Sequence, residues 1–426
     1  MPAKRTPAKT ATKTPGKAKT KGAAAAAEAE KPVPVVAEAP GPDSAPAPVA
    51  KPAVYPDRPT PRALTAGLPV YEPGRPLEEV AREFGFVDTD LLIKLASNEN
   101  PLGPPPKAVM AMQLATSRMH LYPDGGCFYL RRKLAEYLNL PPDRFIFGAG
   151  SNEIIEFLGK TFLEPGDNIV VSQHAFIVYK LVGLSCAAEV REAPMQQFTH
   201  DLGAMAALCD ARTRLLFVAN PNNPTGTMLG LEELREGFQR VPPHVLIVLD
   251  EAYIDLLHPD ECPATLSLLA EFPNLITLRT FSKAFGLAGL RLGYGMAAPE
   301  IIAALEKFRQ PFNVSSMAQV AAIAALDDHD HLYRTRYNNE AGIKYLASRF
   351  RVMKLEYVPS HANFLLVKTG RGRELFREMQ KGGIIVRPMD GYGLPDHLRI
   401  SVGTPEQNRV CIAALQHLLQ PEVPRL

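Results

Sequence analysis

Lys283 stands in the run Phe281-Ser282-Lys283-Ala284-Phe285-Gly286, and Arg291 follows eight residues later in Gly289-Leu290-Arg291-Leu292-Gly293. A primary amine flanked by small residues, just past an apolar run that ends at Thr280, can condense with an aldehyde to a Schiff base. An arginine eight residues on can turn back and hold a phosphate as a bidentate cation. A lysine by itself is most often a solvated surface charge, so the pair gains meaning only from its company.

Two upstream motifs supply that company. Asn220-Pro221-Asn222-Asn223-Pro224-Thr225-Gly226 follows Leu215-Leu216-Phe217-Val218-Ala219, and Asp250-Glu251-Ala252-Tyr253 follows Val245-Leu246-Ile247-Val248-Leu249. Leu275-Ile276-Thr277-Leu278 precedes the lysine segment in the same way. Short apolar runs separated by helical patterns read as buried parallel strands. Open α/β sheets bind ligands outside the carboxyl ends of their strands, so the three polar segments are expected at one crevice. Alone, Asp250 reads as a loop acid and the Asn-Pro run as a turn, because Asn, Pro and Gly dominate turns. In this order and spacing they read as the site of pyridoxal phosphate.

That cofactor needs four kinds of help. Lys283 takes its aldehyde. Asp250 keeps its ring nitrogen protonated. Asn223 and Tyr253 donate to its phenolate oxygen. Arg291 meets its phosphate, with Thr280 and Ser282 as secondary candidates. Gly148-Ala149-Gly150-Ser151-Asn152-Glu153-Ile154-Ile155 is a glycine turn leading into an amphipathic pattern, and Ser151 and Asn152 are expected to cap that helix and offer donors to the phosphate.

With these residues in place, the chain resembles the fold-type I pyridoxal-phosphate-dependent aminotransferases, and within them the histidinol-phosphate aminotransferase family. Leu95-Ala96-Ser97-Asn98-Glu99-Asn100-Pro101-Leu102-Gly103, Tyr122-Pro123-Asp124 and Arg399-Ile400-Ser401-Val402-Gly403 match further family segments, and the resemblance runs over roughly residues 62–420. It implies an α/β fold: a large domain with a mostly parallel seven-stranded sheet flanked by helices, and a smaller C-terminal α/β domain. It implies that Phe176 stacks on the cofactor ring, where many relatives carry tyrosine. It implies that Tyr122 reaches the cofactor phosphate of a neighbouring subunit in a homodimer. Arg399 is expected to hold the anionic end of the substrate, with Arg387 as a second anchor and Tyr71 and Asn98 facing the substrate. The plain alternatives are a core aromatic for Phe176, a loop tyrosine for Tyr122 and a strand-edge surface charge for Arg387.

The implied reaction is reversible transamination of L-histidinol phosphate with 2-oxoglutarate, in histidine biosynthesis. An aromatic amino-acid aminotransferase, a threonine-phosphate decarboxylase-like lyase and a nucleic-acid-binding sensor on the same fold are the alternatives. The sensor needs a folded DNA-binding domain, which the sequence does not offer.

The chain has 426 residues, 46% of them hydrophobic, and no apolar stretch of membrane-spanning length. Its five cysteines, scattered and odd in number, fit reduced thiols in a cytoplasmic protein, and neither they nor the histidines show metal-ligand spacing. Residues 1–58 hold ten Lys or Arg and five Asp or Glu, so this segment carries +5, the rest carries −3, and the overall +2 is due to the segment. Rich in Ala, Pro, Lys and Thr, it is expected to be a disordered tail, capable at most of weak contact with nucleic acid. An arm over 59–99, a large cofactor-binding domain over 100–312 and a small domain over 313–426 are expected to follow. Because the tail offers little to pack, removing residues 1–55 should leave transamination and melting temperature unchanged. A marked loss of either, by assay or calorimetry, would contradict its reading as a tail.

Overall fold

The strands form where the apolar runs lie. The computed structural model describes residues 59–68 and 75–419; the basic tail and Tyr71 fall outside them. The first sheet contains β1 (Phe145–Gly148), β2 (Asn168–Ser172), β3 (Glu189–Ala193), β4 (Thr213–Ala219), β5 (Leu246–Asp250), β6 (Leu275–Thr280) and β7 (Gly293–Ala297). Their order across the sheet is β1-β7-β6-β5-β4-β2-β3. Neighbours pair in parallel except around β7, which runs antiparallel to both β6 and β1. Two reversals restore the direction, so β1 ends at the same edge as β4, β5 and β6.

Each central strand is buried on both faces, which is why its sequence reads as continuous rather than alternating hydrophobicity. Leu216, Val218, Ile247 and Leu249 point into one apolar core. Leu215, Phe217, Leu246 and Val248, one residue out of step, point into another. Helices α1 (Ser151–Phe162) and α2 (Ile177–Ser185) cover the second face, with Ile154, Ile155, Phe157, Leu158 and Tyr179 buried against it.

The second sheet is antiparallel. It contains β8 (Tyr357–Val358), β9 (Phe364–Lys368), β10 (Arg387–Pro388) and β11 (His397–Ser401) in the order β8-β9-β11-β10. Leu365, Val367, Leu398 and Ile400 form its core with Leu346 and Phe350 from the long helix His329–Val352. The short apolar run Ile384 to Arg387 is split between two edges: Ile384–Ile385 pairs in parallel with Ile93–Lys94, and Arg387–Pro388 pairs with β11. The division lets one short stretch serve two edges. Helix Leu77–Phe84 packs Val80 and Ala81 beside Ile385, and Gly85 ends it in the left-handed conformation.

The lysine segment needs one glycine for steric reasons. Gly286 has φ +64°, and a Cβ built there would lie 2.2 Å from the carbonyl oxygen of Gly103. That approach docks the loop after β6 onto the loop that begins at Leu95. Gly286→Ala is therefore expected to cost about 1–3 kcal/mol, through backbone strain and overpacking. It should lower the melting temperature by several degrees in calorimetry; an unchanged transition would refute the contact.

Candidate active site

The carboxyl ends of β1, β4, β5 and β6 meet at one cavity of about 380 Å³. Lys283, Asp250, Tyr253, Asn223, Thr280, Ser282, Arg291, Ser151, Asn152, Phe176, Asn98, Arg387 and Arg399 all line it. The second sheet supplies the last two, so the cavity is walled by both.

Lys283 enters from the loop after β6. Its Nζ lies 3.2 Å from the carbonyl oxygens of Ser97 and Asn98 and 5.6 Å from the centre of the Tyr253 ring. Burial, and then the positive field of Arg399, push its amine down to about 8. A larger share of it is therefore neutral and nucleophilic near neutral pH than for a solvated lysine.

Asp250 ends β5 on the floor of the cavity. Burial raises its carboxyl to about 6, although two hydrogen bonds oppose the shift. The Tyr179 hydroxyl donates to Oδ2 at 2.7 Å, and the Ala252 amide donates to Oδ1 at 3.1 Å. A carboxylate so placed holds a proton on a basic ring nitrogen in front of it. Tyr253 accepts from Asn98 Nδ2 at 2.9 Å, and burial pushes its phenol up to about 12, so it stays protonated and can donate. Asn98 is a positioning group in this arrangement: its Oδ1 accepts from Ser401 while its amide holds Tyr253.

Arg399 Nη1 donates to Asn223 Oδ1 at 2.5 Å, and Nη2 donates to the Ala96 carbonyl at 2.7 Å. Guanidinium only donates, so the Asn223 oxygen faces it and the amide nitrogen is left for an acceptor in the cavity. Arg387 sits directly opposite Arg399 across the β10–β11 ladder. Both line the cavity, and two guanidinium groups on one wall suit an oxyanion.

At the other wall, Gly150 occupies the N-cap of α1 with φ +81° and no side-chain cap. This corrects the expectation that Ser151 and Asn152 cap the helix: they are its first two residues. The reason is spatial. A Cβ on Gly150 would lie 2.6 Å from Arg291 Nη2, and one on Gly293 would lie 2.3 Å from the Ser151 amide nitrogen. Two glycines thus bring an uncapped helix N-terminus and a guanidinium together, which makes a cradle for a phosphate. Thr280 Oγ1 donates to Ser282 Oγ at 2.9 Å beside it.

Tyr122 is not part of this cavity. It is 83% exposed and stacks on Phe312 at 4.8 Å between ring centres. Tyr179 and Tyr392, which also line the cavity, were not singled out from the sequence. Tyr179 lies three residues after Phe176 on a buried helical face, where periodicity gives no way to tell a polar handle from core. Tyr392 follows a glycine in a turn, and its carbonyl accepts from His174 Nδ1 at 2.8 Å. Among the described residues, no group of three or more His, Cys, Asp or Glu is placed to hold a metal. No described helix is long and apolar enough to cross a membrane.

An amine, a buried carboxylate, two phenolate-oxygen donors and a phosphate cradle fit a phosphorylated pyridine aldehyde. The comparisons agree. A histidinol-phosphate aminotransferase from Moorella thermoacetica is 48% identical over 360 residues, covering 84% of this chain and 92% of its own. Histidinol-phosphate aminotransferase 2 from Pseudomonas fluorescens strain Pf-5 is 47% identical over 353 residues, 83% of this chain and 95% of its own. The crystal structure of histidinol-phosphate aminotransferase from Sinorhizobium meliloti, in complex with pyridoxal-5'-phosphate, superposes with a TM-score of 0.76 at 27% identity, over 84% of this chain and 96% of that one. Residues 91–415 match the family model for aminotransferase class I and II, and with most of its length so matched the chain belongs to that family.

Proposed function

We propose that the protein is a pyridoxal-phosphate-dependent aminotransferase that moves the amino group of L-histidinol phosphate to 2-oxoglutarate, giving imidazole acetol phosphate and glutamate, in histidine biosynthesis in the cytoplasm. The observation that carries the reaction type is the convergence of Lys283, Asp250 and the Gly150–Arg291 cradle on one cavity. The names of the relatives and the paired arginines support the substrate.

When bound, pyridoxal phosphate supplies an electron sink for the pair left on the substrate carbon that loses its proton. The residues do the rest. Lys283 is the residue that would hold the aldehyde end of the cofactor, and its Nζ, when not so engaged, would serve as the base and acid that moves the substrate's α-proton. Asp250 keeps the ring nitrogen protonated. Asn223 and Tyr253 donate to the phenolate oxygen, and Phe176 covers one face of the ring. Arg291, Ser151, Asn152, Thr280 and Ser282 hold the phosphate. Arg399 and Arg387 hold the anionic end of each substrate in turn, the phosphate of one and a carboxylate of the other. One cation pair can serve both because a guanidinium matches either oxyanion.

Tyr122 acts in a homodimer on this reading. It stacks on Phe312 at 4.8 Å, and both rings are exposed. Exposed apolar surface of that kind suits an interaction site, and a second copy would bury it and carry Tyr122 to the partner's phosphate.

The test of substrate is a donor panel with 2-oxoglutarate. Histidinol phosphate should give the highest kcat/KM, and Arg387→Ala should lower it about ten- to a hundredfold by removing a charge-assisted anchor. Turnover of phenylalanine, whose carboxylate needs Arg399 alone, should change little. A wild-type preference for phenylalanine or tyrosine would replace this substrate with the aromatic alternative. The state of Lys283 is read separately, in the protein stripped of cofactor. Its amine must be neutral to attack an aldehyde, and burial lowers its pKa to about 8. The rate of cofactor incorporation should therefore rise with pH, with its midpoint near pH 8, and level off about one unit higher in an absorbance-monitored reconstitution. A rise continuing past pH 10 would mean that the lysine is solvated.

A further inference from the structure

The hydroxyl of Tyr179 is spent on a catalytic group although the ring could be held by packing alone. Its ring is fully buried, stacked on Phe217 at 4.6 Å with the planes 11° apart, and set edge-on to Phe176 at 5.6 Å. From that fixed position the hydroxyl donates to Asp250 Oδ2 at 2.7 Å. We propose that Tyr179 is a positioning residue for transamination: it keeps the Asp250 carboxylate ionised and aimed at the cofactor's ring nitrogen.

Tyr179 acts through Asp250 in the role proposed for it above, and its effect arises from a competition for one proton. A proton between a carboxylate and a ring nitrogen goes to the more basic partner. Burial makes Asp250 more basic, raising its carboxyl to about 6, and so works against a charged ring. Each hydrogen bond to the carboxylate works the other way, and an O–H donor to an ionised acceptor is among the stronger kinds. Tyr179 cannot take over as the acid, because burial first, and then the Asp250 charge, hold its phenol well above the ordinary value. It remains a donor throughout. The Ala252 amide fixes the other carboxylate oxygen at 3.1 Å. The two donors together set the rotation of the group, so the carboxylate plane is decided before any cofactor arrives.

Removing one oxygen atom separates this role from packing, since phenylalanine keeps both ring contacts. The dissociation constant for pyridoxal phosphate is measured by equilibrium titration of the stripped protein as wild type, Tyr179→Phe, Asp250→Asn and the double variant. Tyr179→Phe should raise the dissociation constant about tenfold. In the Asp250→Asn background the same change should have less than a twofold effect, because Tyr179 acts through the carboxylate. The acid-side inflection of kcat should also move up by about one pH unit in Tyr179→Phe. A carboxylate without its donor takes up a proton at higher pH, so activity is lost sooner as pH falls. The melting temperature of the stripped protein should stay within a few degrees of wild type.

Equal effects of Tyr179→Phe in both backgrounds would overturn the proposal and leave Tyr179 as packing. So would an unchanged dissociation constant together with an unchanged inflection. If Asp250→Asn itself leaves cofactor binding and turnover at wild-type levels, the reading of Asp250 fails and the proposal falls with it. That outcome is told apart from the others by the single Asp250 variant.

Discussion

The site depends on an ion pair that never touches it. Glu251 and Arg279 lie on neighbouring strand ends, and Arg279 Nη2 meets Glu251 Oε2 at 2.8 Å with both side chains out of solvent. Glu251 follows Asp250, and Arg279 precedes Thr280 and the lysine loop. Thr265 donates to the same carboxylate, and the Glu251 amide donates to the Leu278 carbonyl at 2.8 Å. Two charges removed from water hold each other only in good geometry, and losing one partner costs about 3–5 kcal/mol. The pair therefore resists sliding between β5 and β6. A slip of one residue would turn Asp250 to the other face of the sheet.

On that fixed frame the site keeps opposed charges in tension. Asp250 is pushed toward neutrality by burial and Lys283 is pushed toward neutrality by burial and by Arg399. Both shifts come from the same dryness, and both favour the less charged form. Arg387 and Arg399 face each other across a ladder at the wall where the second sheet meets the cavity. Both guanidinium groups face the one cavity.

Much of this frame was legible in the residues. The runs before Asn220, Asp250 and Lys283 are continuous hydrophobic stretches, and a strand buried on both faces has to read that way. The polar segments after them could then be assigned to one edge. The sequence points to Ser151 and Asn152 as caps because Ser and Asn are the usual ones, whereas the cap position, Gly150, demands φ +81° and space for Arg291. Tyr179 was invisible for a different reason: its partner Asp250 is 71 residues away, and a tyrosine on a buried helical face looks like core. The split of Ile384–Arg387 was equally hidden, since one short apolar run carries no mark of which edge each residue will join.

The close approaches around Asn98 have a consequence for biosynthesis of the chain. Asn98 is bonded to Ser401, 303 residues later, and its carbonyl receives Lys283 across 185. Ile93–Lys94 likewise waits for Ile384–Ile385. Contacts so distant in sequence form late, because each must first close a long loop. On the ribosome, where synthesis proceeds at roughly 5–20 residues per second, the first sheet can be complete well before β11 leaves the exit tunnel. During that interval Asn98 lacks Ser401, the β11 residue that holds the same side chain whose amide meets Tyr253. The wall of the cavity that Arg387 and Arg399 supply is therefore the last part of it to be made.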